Sequence, residues 1–147
     1  IPNGVTTRAA VASTREPLVL YTGSIFNRRR LPDLVDAFGR VATAVPGAQL
    51  VIVGQDRTYP PQDLRAVAES HGVTARVEIR DYVPEAELNA LYGRASAFAF
   101  LSEYEGFGLT PLEALSVRRP RWTELEPEPS LGVWTDDYSN VLRSVRW

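Results

Sequence analysis

The chain alternates short apolar runs with stretches of helical periodicity, and this alternation constrains the fold more than any other feature of the sequence. The apolar runs are LVLYTG (18–23), QLVIVG (49–54), ARVEIRDY (75–82) and AFAFLS (97–102). Three of them are almost continuously apolar, which is typical of strands that helices cover on both faces. A helix-like stretch follows each run, so the order is βαβαβαβα. We therefore predict a single α/β domain built on a parallel sheet.

The helix-like stretches between these runs predict where ligands would bind. The first, 29–45, has apolar residues at three-to-four spacing and is followed by Pro46 and Gly47. The second, 60–72, and the third, 84–96, are interpreted as crossovers between parallel strands. Right-handed crossovers bring the carboxyl ends of all these strands to one edge of the sheet, where open α/β folds bind ligands. The loops after each strand are therefore the candidate functional segments.

Composition excludes several classes of function. The 147 residues contain no cysteine and one histidine, so neither a disulfide nor a cysteine or histidine metal cluster can form, and we predict no metal site. A net charge of −2 gives no general attraction to nucleic acid. No apolar run approaches the roughly 18–20 residues that span a bilayer. We expect a cytoplasmic protein with no membrane span, in which His71 caps a helix or lies at the surface.

The pattern changes after residue 117, which predicts two units. Residues 1–117 form the α/β domain, and 118–147 form a linker and an atypical tail with a short strand at 131–134. That strand is predicted to cover the edge of the AFAFL strand; the alternative is a second copy of the chain, which would give a homo-oligomer. Because the chain begins at Ile1 and contains no methionine, we expect a fragment or a processed form of a longer chain.

Three consecutive arginines, Arg28 to Arg30, follow Gly23 and precede the first helix. A helix N-terminus carries a partial positive charge, so cations there are unfavourable unless an anion is bound. Two interpretations stay open. One is a solvated basic turn, and the other is a phosphate or diphosphate site, since guanidinium groups and free helix amides suit phosphate oxygens.

The stretch SEYEGFGLTPLEAL (102–115) places carboxylates around a Gly-Phe-Gly turn. Thr110, Pro111 and Glu113 have the spacing of a capping box, in which Glu113 reaches back to the cap amide. Capping does not account for Glu105 or for the paired glycines, which let backbone amides approach a ligand closely. Helix capping and ligand binding therefore both remain as interpretations of this stretch.

The segment EGFGLTPLE, in which seven residues separate Glu105 from Glu113, resembles the E-x7-E signature of retaining glycosyltransferases of the GT-B fold, in the family 4 group. The resemblance covers about residues 1–117 and includes IPNGV, LYTGSIFNRRRLPDLVDAF, QLVIVG, VEIRDYVPEAELNALY and RASAFAFLSEYEGFG. It implies a Rossmann-like domain that binds a nucleoside diphosphate sugar as donor substrate, with no separate cofactor.

The resemblance also implies roles for residues of the first strand and turn. Arg28 and Arg29 match a pair, usually Arg then Lys, that holds the donor diphosphate in the family. The second residue here is Arg, which keeps the charge and changes the geometry. Gly23 and Ser24 match the loop that passes under the phosphates.

Residues of the E-x7-E segment receive the remaining implied roles. Glu105 matches the glutamate that faces the donor sugar, which makes it the candidate catalytic residue. Glu113 matches the glutamate that hydrogen-bonds the donor ribose. Phe107 and Gly108 match the turn whose amides lie near the sugar and the phosphates.

The sequence departs from the family in one respect that bears on activity. The family's enzymes carry an acceptor domain and react in the cleft between two Rossmann-like domains, and no part of this sequence resembles the acceptor domain. We therefore expect a donor-binding half that does not transfer sugar by itself. The alternative is a non-catalytic nucleotide-binding or protein-interaction module that keeps the fold.

Overall fold

A computed structural model of the chain describes residues 14–103 and the backbone of the strand Gly132–Thr135. The strands are β1 Glu16–Thr22, β2 Gln49–Val53, β3 Val77–Arg80, β4 Ala95–Phe100 and β5 Gly132–Thr135. The helices are α1 Leu31–Ala44, α2 Leu64–Ser70 and α3 Glu85–Arg94, with short 3₁₀ turns at Asn27–Arg29 and Thr74–Arg76. The predicted linker at 118–130 lies outside these residues, and the predicted division at residue 117 stays a prediction.

The five strands form one sheet in the order β3-β2-β1-β4-β5. Strands β1 to β4 are mutually parallel, so the predicted parallel sheet with alternating helices is confirmed. Strand β1 lies between β2 and β4 and is hydrogen-bonded to both. The carboxyl ends of β1, β2 and β3 consequently lie side by side.

The prediction that the tail covers the AFAFL strand is confirmed to within one residue. Strand β5 pairs antiparallel with β4, and Phe98 lies opposite Trp134. The chain's own strand thus occupies this edge of β4, which leaves no unpaired apolar edge there. A homo-oligomer remains a prediction.

Helices cover both faces of the sheet, as continuous apolar strands require. Along β1, alternate side chains point to opposite faces. Tyr21 joins the cluster beneath α1 and α2, whereas Leu18 and Leu20 join the cluster beneath α3. The cluster beneath α1 contains Phe38 of that helix, and the cluster beneath α3 contains Tyr92.

Local signals explain where the helices begin and end. The Asp63 side chain caps α2 by accepting a hydrogen bond from the Ala66 amide at 3.0 Å. Helix α3 has Glu85 and Glu87 in its first turn and Arg94 in its last, the charge order that favours its dipole. His71 directly follows α2 as its C-cap residue, and its Nε2 lies 3.0 Å from Oδ1 of Asp36. Within the described residues, no helix is long and apolar enough to cross a membrane.

Candidate functional site

Two glycines end the central strands and bring their backbones into contact at the carboxyl edge of the sheet. The Gly23 amide donates to the carbonyl of Val53 at 2.9 Å, and the Gly54 amide donates to the carbonyl of Arg80 at 2.8 Å. A Cβ atom on Gly54 would lie 1.9 Å from the carbonyl oxygen of Gly23, so only glycine fits there. Gly23 has φ +131, a region that favours glycine. The edge is therefore bare backbone at this point.

The loops that follow β1 and β2 are held to each other beyond this contact. The Ile25 amide donates to the Gln55 carbonyl at 2.9 Å, and the Arg57 amide donates to the Ile25 carbonyl at 2.8 Å. Asn27 Oδ1 accepts from the Tyr59 amide at 2.7 Å, and Asn27 Nδ2 donates to the Pro60 carbonyl at 3.1 Å. The turn at 27–30, which we term the arginine turn, is thus braced against the loop after β2.

The arginine turn points its three guanidinium groups into three different environments. Arg29 is buried, with 9% of its surface exposed, and its Cζ lies 5.8 Å from the centroid of the Phe100 ring. Its Nη1 lies 3.9 Å from the place a Cβ on Gly23 would take. Arg28 is half-buried, and its Cζ lies 4.5 Å from the centroid of the Phe26 ring. Of the two predicted diphosphate ligands, Arg29 is therefore the one that lies beside Gly23.

Arg30 connects the arginine turn to the end of β4. Its Nη1 lies 3.5 Å from Oε1 of Glu103, and its Nε forms an ion pair with Asp33. The Glu103 amide donates to the Arg28 carbonyl at 2.9 Å. Arg30 has φ 52 and ψ 41, the left-handed conformation that a residue with a Cβ adopts only at an energetic cost.

The strain at Arg30 gives a testable order of stabilities. We expect Arg30→Gly to be more stable than Arg30→Ala by about 1 kcal/mol, because both variants lose the same ion pairs and only glycine avoids the left-handed penalty. Urea denaturation of the two variants measures the difference. Arg40, exposed in α1 and paired with Asp36, is the matched control. At position 40 the alanine variant should be more stable than the glycine variant by about 1 kcal/mol. An alanine variant that is the more stable one at both positions would contradict the left-handed conformation of Arg30.

A cleft of about 490 Å³ opens across the carboxyl ends of β1, β2 and β3. Its lining includes Gly23, Ser24, Gly54, Asp81, Tyr82 and Val83. Tyr82 is 80% exposed, and Val83 is buried in the cluster beneath α3. The floor is fixed by a buried contact at 2.8 Å between the hydroxyl groups of Thr22 and Tyr92, which links β1 to α3. Gly23 and Ser24, both predicted from the sequence, thus border one cleft.

Sequence reasoning included the loop after β3 among the candidate segments but named none of its residues as site residues. The signal was present, since a polar Asp81 and an aromatic Tyr82 end the run at 75–82, at the predicted ligand edge. It also missed Gly54, although QLVIVG ends in glycine as LVLYTG does. Asn27 gave no signal, because its two hydrogen bonds reach residues more than 30 positions away.

Charged side chains near the cleft are partly paired with one another. The Arg80 guanidinium donates from Nε to Glu78 at 2.7 Å and from Nη1 to Glu87. Both hydrogen bonds raise the pKa of Arg80, and the one to Glu78 has the larger effect. At the opposite end of β1, the hydrogen bond from Arg94 lowers the pKa of Glu16. Within residues 14–103, no group of three or more acidic or histidine side chains is placed to hold a metal ion.

Four of the predicted site residues lie outside the described residues: Glu105, Phe107, Gly108 and Glu113. Their predicted contacts with the donor sugar, the ribose and the phosphates stay predictions. The continuous described segment extends to Glu103, which lies against the arginine turn.

The fold is Rossmann-like, and solved glycosyltransferases of the GT-B fold share it. A crystal structure of S. aureus TarM in complex with Fondaparinux, alpha-GlcNAc-glycerol and UDP matches 82% of this chain and 24% of that chain, with a TM-score of 0.70 and 20% identity. The apo form of the lipopolysaccharide outer core galactosyltransferase WaaB matches 80% of this chain and 34% of that chain, with a TM-score of 0.61 and 25% identity.

The chain belongs to the family of glycosyl transferases group 1, whose model matches residues 6–121. It is 35% identical over 119 residues to GDP-mannose:cellobiosyl-diphosphopolyprenol alpha-mannosyltransferase of Komagataeibacter xylinus, a match that covers 79% of this chain. It is 32% identical over 107 residues, or 71% of this chain, to D-inositol 3-phosphate glycosyltransferase of Segniliparus rotundus. The chain spans 30% of the length of the first relative and 24% of the second.

Proposed function

We propose that this chain is the nucleotide-sugar-binding half of a retaining glycosyltransferase and is not catalytically competent by itself. The observation that carries the proposal is the buried guanidinium of Arg29 beside Gly23, at the carboxyl edge of the central strand. The family match and the relatives named as transferases support glycosyl transfer as the parent activity.

The surroundings of Arg29 favour an anionic ligand with several oxygens. A guanidinium donates to phosphate oxygens through charge-assisted hydrogen bonds, which are stronger than those between neutral groups. Gly23 and Gly54 place no side chain at the edge, so phosphate oxygens can approach the backbone closely. The contact between Arg29 and the Phe100 ring and the bracing through Asn27 hold the turn in place before the ligand arrives. Arg28 adds a second positive charge nearby.

The cleft is the proposed place of the nucleoside. Its volume of about 490 Å³ lies within the usual range of roughly 300–1,000 Å³ for small-molecule sites. It begins at Gly23 and Ser24 beneath the proposed diphosphate and ends at Tyr82, whose exposed ring is available for stacking on a base. The named relatives include a GDP-mannose transferase, whereas the matched TarM structure holds UDP. The comparisons therefore do not decide which base the donor of this chain carries.

The remaining roles in the proposal belong to residues outside the described part of the chain. We assign Glu113 to the donor ribose, Glu105 to the donor sugar, and Phe107 and Gly108 to amides near the sugar and phosphates. These assignments rest on the resemblance of the E-x7-E segment to the family.

In the proposed reaction, Arg28 and Arg29 neutralise the charge that develops on the leaving nucleoside diphosphate. Stabilising developing charge with preorganised donors is a major source of rate enhancement in enzymes. The sugar passes through an oxocarbenium-like state and is attacked on the face the diphosphate leaves, which retains its configuration. The acceptor would be held by a second domain, which would also exclude water from the cleft.

Binding of nucleoside diphosphates tests the proposal. We expect the 147-residue chain to bind a nucleoside diphosphate and Arg29→Ala to weaken binding tenfold or more, since a charge-assisted hydrogen bond is worth about 1.5–3 kcal/mol. Arg29→Lys should recover part of the affinity, because it restores the charge without the planar fork. Isothermal titration calorimetry measures all three proteins.

The controls separate the site from general charge effects. Arg40→Ala removes an exposed arginine of α1 and should leave nucleotide affinity unchanged. Glu113→Gln keeps a side chain that serves a capping box, so it should weaken binding with little loss of stability if the carboxylate holds the ribose. If the wild type binds the nucleotide and neither Arg29→Ala nor Glu113→Gln weakens binding, the site lies elsewhere. No binding to the wild type would favour the non-catalytic interaction module.

A further inference from the structure

We propose that Asp81 selects guanine as the base of the donor, so that the donor is a GDP-sugar. The inference rests on the proposed function and adds to it the chemical identity of the nucleotide. It is carried by the position of Asp81 in the lining of the cleft and by the absence of a partner for its side chain within the described residues.

The order of the strands fixes the direction in which a nucleotide would lie. The proposed diphosphate position is at Gly23, which directly follows β1. Asp81 directly follows β3, two strands away in the sheet order. Neighbouring strands lie about 4.8 Å apart, so these two ends of the cleft are separated by roughly 10 Å. A nucleotide whose diphosphate lies at β1 and whose nucleoside follows the cleft therefore presents its base at Asp81.

Asp81 differs from the other aspartates in the described part of the chain. Residues 14–103 contain five aspartates, and four of them hydrogen-bond a backbone amide or an arginine: Asp33, Asp36, Asp56 and Asp63. The Asp81 side chain makes no hydrogen bond or ion pair with any described residue. The adjacent Arg80 commits Nε and Nη1 to Glu78 and Glu87. Asp81 is exposed and lines the cleft.

A carboxylate distinguishes the common bases by their hydrogen-bond donors. An ionised carboxylate only accepts hydrogen bonds, and its two oxygens suit two adjacent donors. Guanine presents such a pair, N1–H and the N2 amino group. Uracil presents a single N–H flanked by two carbonyl oxygens, and a carboxylate repels these oxygens. Adenine presents an amino group beside a nitrogen that only accepts. Hydrogen bonds to the Watson–Crick edge of a base discriminate strongly between bases, because the wrong base leaves polar groups unpaired.

Tyr82 does not account for such a preference. Stacking on an aromatic ring is tolerant of sequence, because every base has a π face. Substitution of Tyr82 should therefore weaken the binding of all nucleotides to a similar degree. Of the two residues that directly follow β3, Asp81 is therefore the one that would separate one base from another.

The experiment pairs a change in the protein with a change in the ligand. Isothermal titration calorimetry measures GDP, inosine diphosphate, UDP and ADP against the 147-residue chain and its Asp81→Asn variant. Inosine diphosphate lacks only the N2 amino group of GDP. We expect wild type to bind GDP about tenfold or more tightly than each of the other three. In Asp81→Asn the ratio of GDP to inosine diphosphate affinity should fall to near one.

The control and the contrary outcomes are distinct. Asp36→Asn changes an aspartate that pairs with Arg40 and His71 away from the cleft, and it should keep the wild-type ratio. If the wild type binds UDP or ADP as tightly as GDP, or if Asp81→Asn keeps the wild-type ratio, guanine selection by Asp81 is wrong while the donor site stands. If no nucleoside diphosphate binds, the proposed function itself fails.

Discussion

Replacing Gly54 by alanine is expected to lower the free energy of unfolding by at least about 3 kcal/mol, the upper end of the usual cost of overpacking. The new Cβ would lie 1.9 Å from the carbonyl oxygen of Gly23 and 2.7 Å from its carbonyl carbon. These are backbone atoms of the neighbouring strand and cannot rotate away. The two backbone segments must move apart, which disturbs the hydrogen bonds from Gly23 to Val53 and from Ile25 to Gln55. Urea denaturation followed by circular dichroism measures the loss.

Gly47→Ala is the matched control for this substitution. Gly47 has φ +78, and a Cβ there would meet nothing within 4 Å. Its replacement should therefore cost only the left-handed penalty of about 1–2 kcal/mol. Equal losses at both positions would mean that β1 and β2 do not approach as closely at their carboxyl ends as the structure describes.

Replacing Phe38 by alanine is expected to destabilise the protein by about 3–5 kcal/mol, the range for removing a buried phenylalanine. Phe38 is 2% exposed and lies in the cluster that joins α1 and α2 to the sheet. Val45→Ala, at the end of α1 with 41% of its surface exposed, should cost less than about 1 kcal/mol. Chemical denaturation compares the two. Similar small losses at both positions would argue that α1 does not pack on the sheet through Phe38.

The sequence predicted the strands and helices well where local periodicity decides them and less well where distant contacts do. The run at 49–54 corresponds to β2 within one residue. The second helical stretch begins at Leu64 instead of residue 60, because Asp63 caps it and Asn27 holds the preceding loop. The run at 75–82 yields a strand of only four residues, Val77–Arg80. A 3₁₀ turn precedes this strand, and the residues after it line the cleft.

The candidate site was predictable in its location and not in its geometry. The rule that ligands bind at the carboxyl edge of a parallel sheet selected the loops after each strand, and the family resemblance selected Gly23 and Ser24 among their residues. Three adjacent arginines are equivalent in sequence, and their separate directions follow from the 3₁₀ turn and the left-handed conformation of Arg30. The need for glycine at 54 depends on an atom of Gly23, a contact across strands that periodicity cannot show.

The two ends of the cleft follow strands that differ in the number of neighbouring strands and in burial. The proposed diphosphate end follows β1, which has a hydrogen-bonded strand on each side and contains the buried residues Leu18, Leu20, Tyr21 and Thr22. The Asp81 end follows β3, which pairs with β2 alone in the described sheet and has no fully buried residue. Backbone amides of β3 should therefore exchange with solvent sooner than those of β1. Substitutions at the exposed Asp81 and Tyr82 also disturb less of the core. We therefore expect the proposed base preference to diverge more readily within the family than the proposed diphosphate site.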